Sequence, residues 1–419
     1  MEIFSRHNKL SSAGAFVLLF SLLYVRLFRP LGFTDDIWKL FFYPVLLYLM
    51  GSVASGFFNS RYKDVFSNPI RLFIGIIFLS SLVCMMTWGQ SIIDTLLSCL
   101  PFFSFLLYYY LLQRNLKTKE VEKLLWWFTA LFIVCFYIAL AVAPTRLFLG
   151  YGEIGKEIDT ERGLSRIRLT LIGGGPLYLA FFLAINKYKM QRNKNKWLLL
   201  IVIFFITIVL QLGRQTIVIS ILLGLLFYLK GSSFAKKLSA LIVLGSLVFI
   251  LPILAANIFQ GLQERTNKEL ESQQDGDDNV RLAAYKFYFN DVSRSSLNDI
   301  FGNGMFSLGK SRYGDFVDKN GRSQGLIPAD VGYASIFLYF GILGLLFFGV
   351  LLFKVIRLKV APQYSYLKYY IYFLFIGNIA GSTLLGTIPT LCLALYMLSK
   401  GNLLYHYQLQ QKSTSHAKT

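Results

Sequence analysis

Long apolar segments alternate with short polar ones along most of the 419-residue chain. A helix needs about 20 mostly apolar residues to cross the hydrocarbon core of a bilayer. The pattern predicts twelve spans, near residues 13–29, 40–58, 70–88, 91–112, 124–143, 169–185, 197–212, 215–229, 238–256, 331–353, 368–382 and 384–399. We therefore expect an all-α polytopic membrane protein with about 12 transmembrane helices.

The stretch from 197 to 229 allows two interpretations, because Gly213-Arg214-Gln215 interrupts a long apolar run. A single interrupted helix is one interpretation of this pattern. The length of the run favours the other, in which two spans are joined by a tight turn.

Composition agrees with a membrane protein and excludes several other classes. Hydrophobic residues make up 55% of the chain and charged residues 15%, whereas an ordinary soluble domain has roughly 25% charged residues. A soluble globular enzyme, a disordered tail and a disulfide-rich secreted module are excluded. The cysteines lie inside predicted spans without a pairing pattern, which favours small hydrophobic residues: Cys84, Cys99, Cys135 and Cys392.

The distribution of charge predicts the orientation in the membrane. The chain carries a net charge of +20. The whole excess lies on one side if that side holds the N-terminus, 59–71, 113–123, 186–196, 230–237, 354–368 and 400–419, which contain 24 Lys or Arg and four acids. The positive-inside rule makes this side cytoplasmic, with both termini on it. The charge therefore predicts topology and gives no reason to expect a nucleic-acid partner.

This topology divides the chain into six regions. They are helices 1–5 at 1–143, a first extracytoplasmic loop at 144–168, helices 6–9 at 169–256, a large extracytoplasmic loop at 257–330, helices 10–12 at 331–399 and a cytoplasmic tail at 400–419. Within the large loop, apolar residues at helical spacing predict a short helix lying on the membrane surface, followed by a tight turn at 300–306. The spaced residues are Leu282, Tyr285, Phe289 and Val292.

The predicted outer segments contain more arginine than lysine. Arginine presents a planar fork that binds phosphate or carboxylate through two hydrogen bonds, which lysine cannot match. Pairing with nearby acids is the alternative explanation for any single one of these arginines. Arg214 fits that alternative least, because it lies between two apolar spans with no acid near it in sequence.

The remaining candidate chemistry is narrow. His7, His406 and His416 lie in the predicted cytoplasmic tails, which excludes a histidine-ligated metal or a histidine base on the outer face. Gly173-Gly174-Gly175-Pro176 lacks the context of a nucleotide-binding loop and favours a weak helix start lining a cavity over a loose, lipid-facing end. We expect no metal and no cofactor. Carboxylates and arginines suit transfer from a diphosphate leaving group, and equally the recognition of an anion by a transporter.

Four motifs follow one another between about residues 160 and 350. They are Ser165-Arg166 with Gly173, Pro176 and Ala180; Leu212-Gly213-Arg214-Gln215-Thr216; Arg281 and Tyr285 followed by Phe301-Gly302-Asn303-Gly304-Met305-Phe306; and Asp330-Val331-Gly332-Tyr333 leading to Phe340-Gly341-Ile342-Leu343-Gly344. In this order they resemble the O-antigen and capsular polysaccharide polymerase family (Wzy type), within the wider group that includes O-antigen ligases.

The resemblance implies a multi-pass enzyme of the bacterial cytoplasmic (inner) membrane. Such polymerases transfer an undecaprenyl-diphosphate-linked oligosaccharide onto the next lipid-linked repeat unit, without a metal. It implies catalytic roles for Asp330, Arg214 and Arg281, with Asp330 activating the acceptor hydroxyl. Substrate binding is implied for Arg166, Arg168, Arg214, Arg281 and Tyr285. Alternatively, Asp330 caps the helix that is predicted to begin near 331.

Other functions remain open from the sequence. Ligases of this group carry a histidine in the large loop; none occurs here, which favours a polymerase. A lipid-linked oligosaccharide flippase or transporter predicts repeated halves and charges deep within spans. A structural subunit of a glycan-assembly complex is a third alternative. The partners implied are the lipid-linked oligosaccharide, membrane lipids, a chain-length regulator and a flippase.

Overall fold

The computed structural model describes residues 10–27, 34–58, 64–142, 158–159, 166–167, 174–191, 194–211, 214–231 and 280–416. In these residues the regular structure is helical apart from one short antiparallel pairing of β1 (Ile158–Asp159) with β2 (Arg166–Ile167). The prediction of a helical fold is confirmed for this part of the chain. The span predicted at 238–256 and loop residues 257–279 lie outside it.

The helices fall into three groups along the chain. The first is α1 (Ser12–Tyr24), α2 (Asp35–Phe58), α3 (Ser67–Trp88), α4 (Ile92–Cys99), α5 (Leu107–Arg114) and α6 (Thr118–Val142). The second is α7 (Gly175–Met190), α8 (Lys194–Leu210) and α9 (Arg214–Leu229). The third is α10 (Val280–Lys286), α11 (Ser296–Phe301), α12 (Arg312–Asn320), α13 (Gly332–Arg357), α14 (Tyr366–Gly377), α15 (Thr383–Gly386) and α16 (Ile388–His416).

By length and composition, five segments of the described chain could cross a membrane. They are Asp36–Phe58, Ser67–Trp88, Ile92–Arg114, Thr118–Ile138 and Gly332–Arg357. Two apolar helices, Ser12–Tyr24 and Gln215–Leu229, are shorter. The chain is accordingly a helical membrane protein.

The span predicted at 91–112 is not one continuous α-helix. Between α4 and α5 the backbone forms a 3-10 helix over Leu100–Leu106, with a proline, Pro101, in its first turn. Proline lacks an amide hydrogen and clashes with the preceding turn, so it disrupts the α-helical ladder. Hydropathy predicted the extent of this segment but not its change of helix type.

The 197–229 stretch forms two helices, as its length favoured. At one end, the hydroxyl of Tyr178 in α7 donates to Oε1 of Gln211, just after α8, at 3.0 Å. At the other end, Nζ of Lys189 donates to the carbonyl oxygens of Phe227 and Lys230 at 2.9 and 3.0 Å. Helices α8 and α9 therefore run in opposite directions. The connection between them lies at one end of the helix bundle, and the last turn of α9 lies at the other.

The two ends carry different structure. We call the end that holds residues 280–330 the loop end; it contains Trp88 at the end of α3, since Trp88 Nε1 donates to Asn303 Oδ1 at 2.7 Å. We call the other the basic end. There, Lys187 lies 2.8 Å from Glu122, and Asn402 Nδ2 donates to the carbonyl of Lys359 at 2.6 Å.

Aromatic side chains join the centre of the bundle. Phe73 of α3 stacks on Phe347 of α13 with ring centroids 4.3 Å apart, and it meets Phe340 edge-on at 4.9 Å. Phe105 of the 3-10 helix contacts Phe73 at 5.2 Å and Phe347 at 5.5 Å. These buried rings hold α13 against α3 and the 3-10 helix.

Helix α13 has a kink that contacts the segment 300–304. Gly341 has φ +62° inside the helix, and Gly302 of the loop has φ +82°. Just before the kink, the carbonyl oxygens of Leu338 and Tyr339 accept hydrogen bonds from the amides of Asn303 and Gly304 at 2.8 and 3.0 Å. A Cβ on Gly341 would lie 2.4 Å from the carbonyl oxygen of Ile300, so the backbones meet where only glycine fits.

We expect Gly341→Ala to destabilise the protein by about 1–3 kcal/mol or more, because alanine is strained at this φ and its Cβ meets backbone. The matched control is Gly349→Ala in the same helix, where a Cβ meets nothing within 4 Å. It should be neutral or stabilising by up to about 1 kcal/mol. Thermal unfolding in detergent measures both, and equal midpoints for the two variants would contradict the role of the kink.

Candidate functional site

Three of the four predicted motifs meet at the C-terminal end of α14. Gln215 Nε2 donates to the carbonyl oxygen of Ile376 at 3.1 Å. The hydroxyl of Tyr285 donates to the carbonyl of Ile379 at 2.7 Å, and the hydroxyl of Tyr333 donates to that of Phe375 at 2.7 Å. The first turn of α9, helix α10 and the start of α13 are thereby brought to one segment, residues 375–379.

The chemistry of a helix end explains this meeting. The last carbonyl groups of an α-helix have no amide partner within the helix, and burial makes an unpaired carbonyl costly. Within the same segment, Thr383 Oγ1 donates to the carbonyl of Leu374 at 2.6 Å, and the amide of Leu384 donates to Asn378 Oδ1 at 3.1 Å. Side chains from distant parts of the chain complete the remaining bonds.

Two buried amide donors at this site lack acceptors. Gln211 Nε2, in the turn before Arg214, and Asn378 Nδ2, beside the end of α14, are buried and find no hydrogen-bond partner in the described part of the chain. A buried donor without an acceptor costs about 1–3 kcal/mol. Both nitrogens are therefore suited to an oxygen-rich ligand.

Arg281 and Arg214 both belong to the first turns of helices at this site. Arg281 is exposed and lies one helical turn before Tyr285. Arg214 is the first residue of α9, and it precedes Gln215, whose side chain donates to Ile376. The structure thus brings the backbones of these two predicted residues toward the same segment.

Tyr285 has a structural contact as well as its predicted binding role. Its hydroxyl is bonded to Ile379, and its ring lies parallel to that of Phe289 at a centroid distance of 6.0 Å. Burial raises the pKa of this hydroxyl, and a backbone hydrogen bond to Tyr333 opposes the increase. The neutral hydroxyl positions α10.

The predicted helix at 280–292 is present, and the four apolar residues at helical spacing differ in burial. Leu282 is exposed, Tyr285 and Phe289 are half-buried, and Val292 is buried. The helix changes to a π-helix over Phe287–Asp291, and it is packed on two sides. Phe287 stacks on Phe316 of α12 at 6.1 Å and Phe289 meets Phe337 of α13 at 4.7 Å, so protein contacts set the buried face.

Asp330 lies in a short 3-10 helix, Pro328–Asp330, with its side chain exposed. Helix α13 begins at Gly332, and no side chain caps it, so the capping alternative is wrong. Burial raises the pKa of Tyr288; the carboxylate of Asp330 adds to the increase, whereas the guanidinium of Arg322 opposes it. Asp330 is therefore a solvent-accessible carboxylate close enough to Tyr288 to influence it.

The remaining predicted binding residues are only partly placed. Arg166 lies in β2 with Asp159 as its register partner, and Arg168 lies outside the described residues. Gly175 begins α7 as predicted. A Cβ there would lie 2.5 Å from Thr390 Oγ1, so this helix start is packed against α16 and is not a loose end.

A second anchor of the loop was not predicted from the sequence. Gln90, in the turn between α3 and α4, is 1% exposed. Its Nε2 donates to Thr95 Oγ1 at 2.8 Å and to the carbonyl of Met305 at 3.0 Å. Its Oε1 accepts from the amide of Ser307 at 3.1 Å and from Ser311 Oγ at 2.6 Å. The signal available in the sequence was a glutamine in the two-residue connection between the spans predicted at 70–88 and 91–112.

Trp88 forms the other half of this anchor. Its ring stacks on Tyr313 at 4.8 Å, and the guanidinium of Arg294 lies 3.5 Å from the ring centroid. Such a cation–π contact contributes about 0.5–2 kcal/mol. Arg294, one of the arginines in a predicted outer segment, therefore packs against an aromatic ring in place of an acid.

The site offers guanidinium, carboxylate, amide and hydroxyl groups. Among the described residues, no group of three His, Cys, Asp or Glu side chains could hold a metal ion. The sequence matches no protein-family model and no curated protein. A function must therefore be argued from the residues of the site.

We expect Gln90→Ala to loosen the loop, because it leaves the Ser307 amide and the Met305 carbonyl without their partner. The expected cost is about 1–3 kcal/mol, with faster proteolytic cleavage near residues 305–311. Gln113→Ala, at an exposed position, is the control and should cleave like the unaltered protein. Identical digestion of both variants would show that Gln90 does not anchor the loop.

Proposed function

We propose that this chain is a metal-independent membrane glycosyltransferase of the Wzy type. It polymerises undecaprenyl-diphosphate-linked oligosaccharide repeat units into O-antigen, capsule or exopolysaccharide on the outer face of the bacterial cytoplasmic membrane. The observation that carries the proposal is the meeting of three separate sequence motifs at residues 375–379. Two buried amide donors without acceptors lie beside them.

The proposal includes about twelve spans, a large outer loop and both termini in the cytoplasm. The separation of the two bundle ends supports this orientation. Basic segments around Lys187, Lys359 and Lys400 gather at one end: Lys187 pairs with Glu122, and the Lys400 ammonium donates to Asn115 Oδ1 at 2.6 Å. Residues 280–330 lie at the other end, which the charge rule predicts to be outside.

In the proposed reaction, a hydroxyl of the acceptor repeat unit attacks the anomeric carbon of the donor. The bond from that carbon to the diphosphate breaks, and undecaprenyl diphosphate leaves with the bonding electrons. The carboxylate of Asp330 accepts the proton of the attacking hydroxyl. Arg214 and Arg281 stabilise the negative charge that develops on the leaving diphosphate.

The other groups bind substrate. Arg166, Arg168 and Tyr285 contact the diphosphate or the sugars, together with the two arginines. Gln211 and Asn378 donate from their buried amides to substrate oxygens, which would satisfy the two nitrogens that lack partners in the described chain. The chain-length regulator and the flippase of the same assembly are proposed as protein partners.

Purified protein given a synthetic lipid-diphosphate repeat unit, without metal, should produce a ladder of polymers on a gel. We expect Arg281→Ala and Arg214→Ala to lower the rate about 100- to 1,000-fold, and Asp330→Asn about 100-fold or more. Arg281→Lys should fall between, since it keeps the charge but loses the fork. The control is Arg312→Ala, an exposed arginine of the same loop, which should retain the ladder.

Other outcomes would point elsewhere. In cells, deletion of the gene should leave single-repeat glycolipid, whereas loss of all glycan from the lipid A core would favour a ligase. A normal ladder from Arg214→Ala and Arg281→Ala would count against catalysis by these residues and favour a structural subunit.

Isosteric changes test the amide donors separately. Asn378→Asp keeps the acceptor for Leu384 but replaces the donor with a negative charge, and Gln211→Glu does the same for Tyr178. We expect both to weaken binding of the anionic donor substrate about tenfold or more, as a higher KM. Gln113→Glu, at an exposed position, is the charge-matched control. An unchanged KM would remove Gln211 and Asn378 from the site.

A further inference from the structure

A cavity of about 560 Å³ with a mixed polar and apolar lining is present at the basic end, far from the site just described. It is formed between the start of α3 and the middle of α16. Its volume is within the range of about 300–1,000 Å³ that is usual for small-molecule sites. The polar residues that line it are Asp64, Asn68, Arg71, Ser399 and Asn402.

Only one of the two carboxylate oxygens of Asp64 has a hydrogen-bond partner in the described chain. Its Oδ2 accepts a hydrogen bond from the hydroxyl of Tyr108. Its Oδ1 is buried and has no hydrogen-bond partner in the described chain. A buried carboxylate oxygen without a donor is costly, so a ligand with a hydrogen-bonding cation would complement this wall.

A positive charge lies on the same cavity. The guanidinium of Arg71 is held beside two aromatic rings, 5.6 Å from the centroid of Phe57 and 5.9 Å from that of Tyr109. Guanidinium groups favour phosphate oxygens. The cavity therefore presents an acid and a base together, with the side-chain amides of Asn68 and Asn402 as further donors.

The surroundings of the cavity are apolar. Leu403, which lines it, is 62% exposed, and Leu72, next to Arg71, is 69% exposed. In a membrane protein an exposed leucine near the start of an apolar helix, such as Leu72 in α3, faces lipid. The cavity thus lies where α3 enters the apolar layer, at the boundary between headgroups and acyl chains.

We propose that this cavity binds the headgroup of a phospholipid with both a phosphate and a primary ammonium group, the phosphatidylethanolamine class. The phosphate oxygens accept hydrogen bonds from Arg71 and the two asparagines. The ammonium donates to Asp64 Oδ1, and the acyl chains extend past Leu72 and Leu403. This site is independent of the proposed glycosyl transfer.

The carboxylate of Asp64 makes the proposed site selective among classes of phospholipid. Phosphatidylglycerol brings a phosphate and hydroxyl donors but no cation, so its hydrogen bond to Asp64 Oδ1 lacks a positive charge, and its phosphate adds a second negative charge nearby. Phosphatidylcholine brings a cation that cannot donate a hydrogen bond. A charge-assisted hydrogen bond contributes about 1.5–3 kcal/mol, which corresponds to about a tenfold or greater preference for the primary ammonium.

Delipidated, purified protein tests this by native mass spectrometry with the three lipids. Phosphatidylethanolamine should bind about tenfold or more tightly than either of the others. Asp64→Asn should abolish that preference, because the amide keeps an acceptor for Tyr108 but loses the charge. The matched control is Asp36→Asn, an exposed aspartate at the other end of the bundle, which should keep it.

Asn68→Asp provides a second variant at an exposed position, where folding is not at risk. Its added negative charge should weaken binding of all three lipids. Equal binding of the lipids to the unaltered protein, or a preference retained in Asp64→Asn, would overturn the proposal. So would soluble O-phosphoethanolamine binding as tightly as the lipid, since the site would then serve a free metabolite.

Discussion

The contact between residues 300–304 and the kink of α13 is the constraint on which the loop end depends. The amides of Asn303 and Gly304 bond to carbonyl oxygens of a membrane-spanning helix, and glycines at 302 and 341 allow the two backbones to touch. Backbone groups inside an apolar layer must be paired within the protein. A loop that supplies such pairs cannot move away from the helix without exposing them, and this holds α11 and its neighbours at one depth.

The same demand for pairing assembles the candidate site. The end of α14 presents carbonyl groups that its own helix cannot satisfy, and Gln215, Tyr285 and Tyr333 reach it from three parts of the chain. Arg214 directly precedes Gln215, whereas Arg281 and Asp330 lie about one helical turn before Tyr285 and Tyr333. The anchoring residues are uncharged and form hydrogen bonds to backbone carbonyl groups. The charged residues near them are the ones for which we propose catalytic roles, so anchoring and the proposed catalysis fall to different residues.

Hydropathy predicted the helical fold, the division of 197–229 into two helices and the short helix that begins at Val280; the tight turn predicted at 300–306 is wrong, since the chain is helical to Phe301 and then pairs with α13. Hydropathy could not predict the 3-10 helix at 100–106 or the buried face of α10, because tertiary packing decides both. For the candidate site, the sequence pointed to residue types, since the arginines and Asp330 stand out by charge, and their roles stay predictions. Gln90 and Asn378 do not stand out in the sequence, because the structural role of a side-chain amide depends on hydrogen-bond partners that are distant in sequence.

Gln90 has a consequence for how the chain is made. Its acceptor at Met305 lies 215 residues further along the sequence. At a synthesis rate of roughly 5–20 residues per second, the turn between α3 and α4 waits about 10–40 s for that partner. During this time water must take the place of Met305, Ser307 and Ser311 around its amide. The first four helices are therefore inserted before the hydrogen bonds of this turn are complete. Assembly of the N-terminal half is completed only by the C-terminal half.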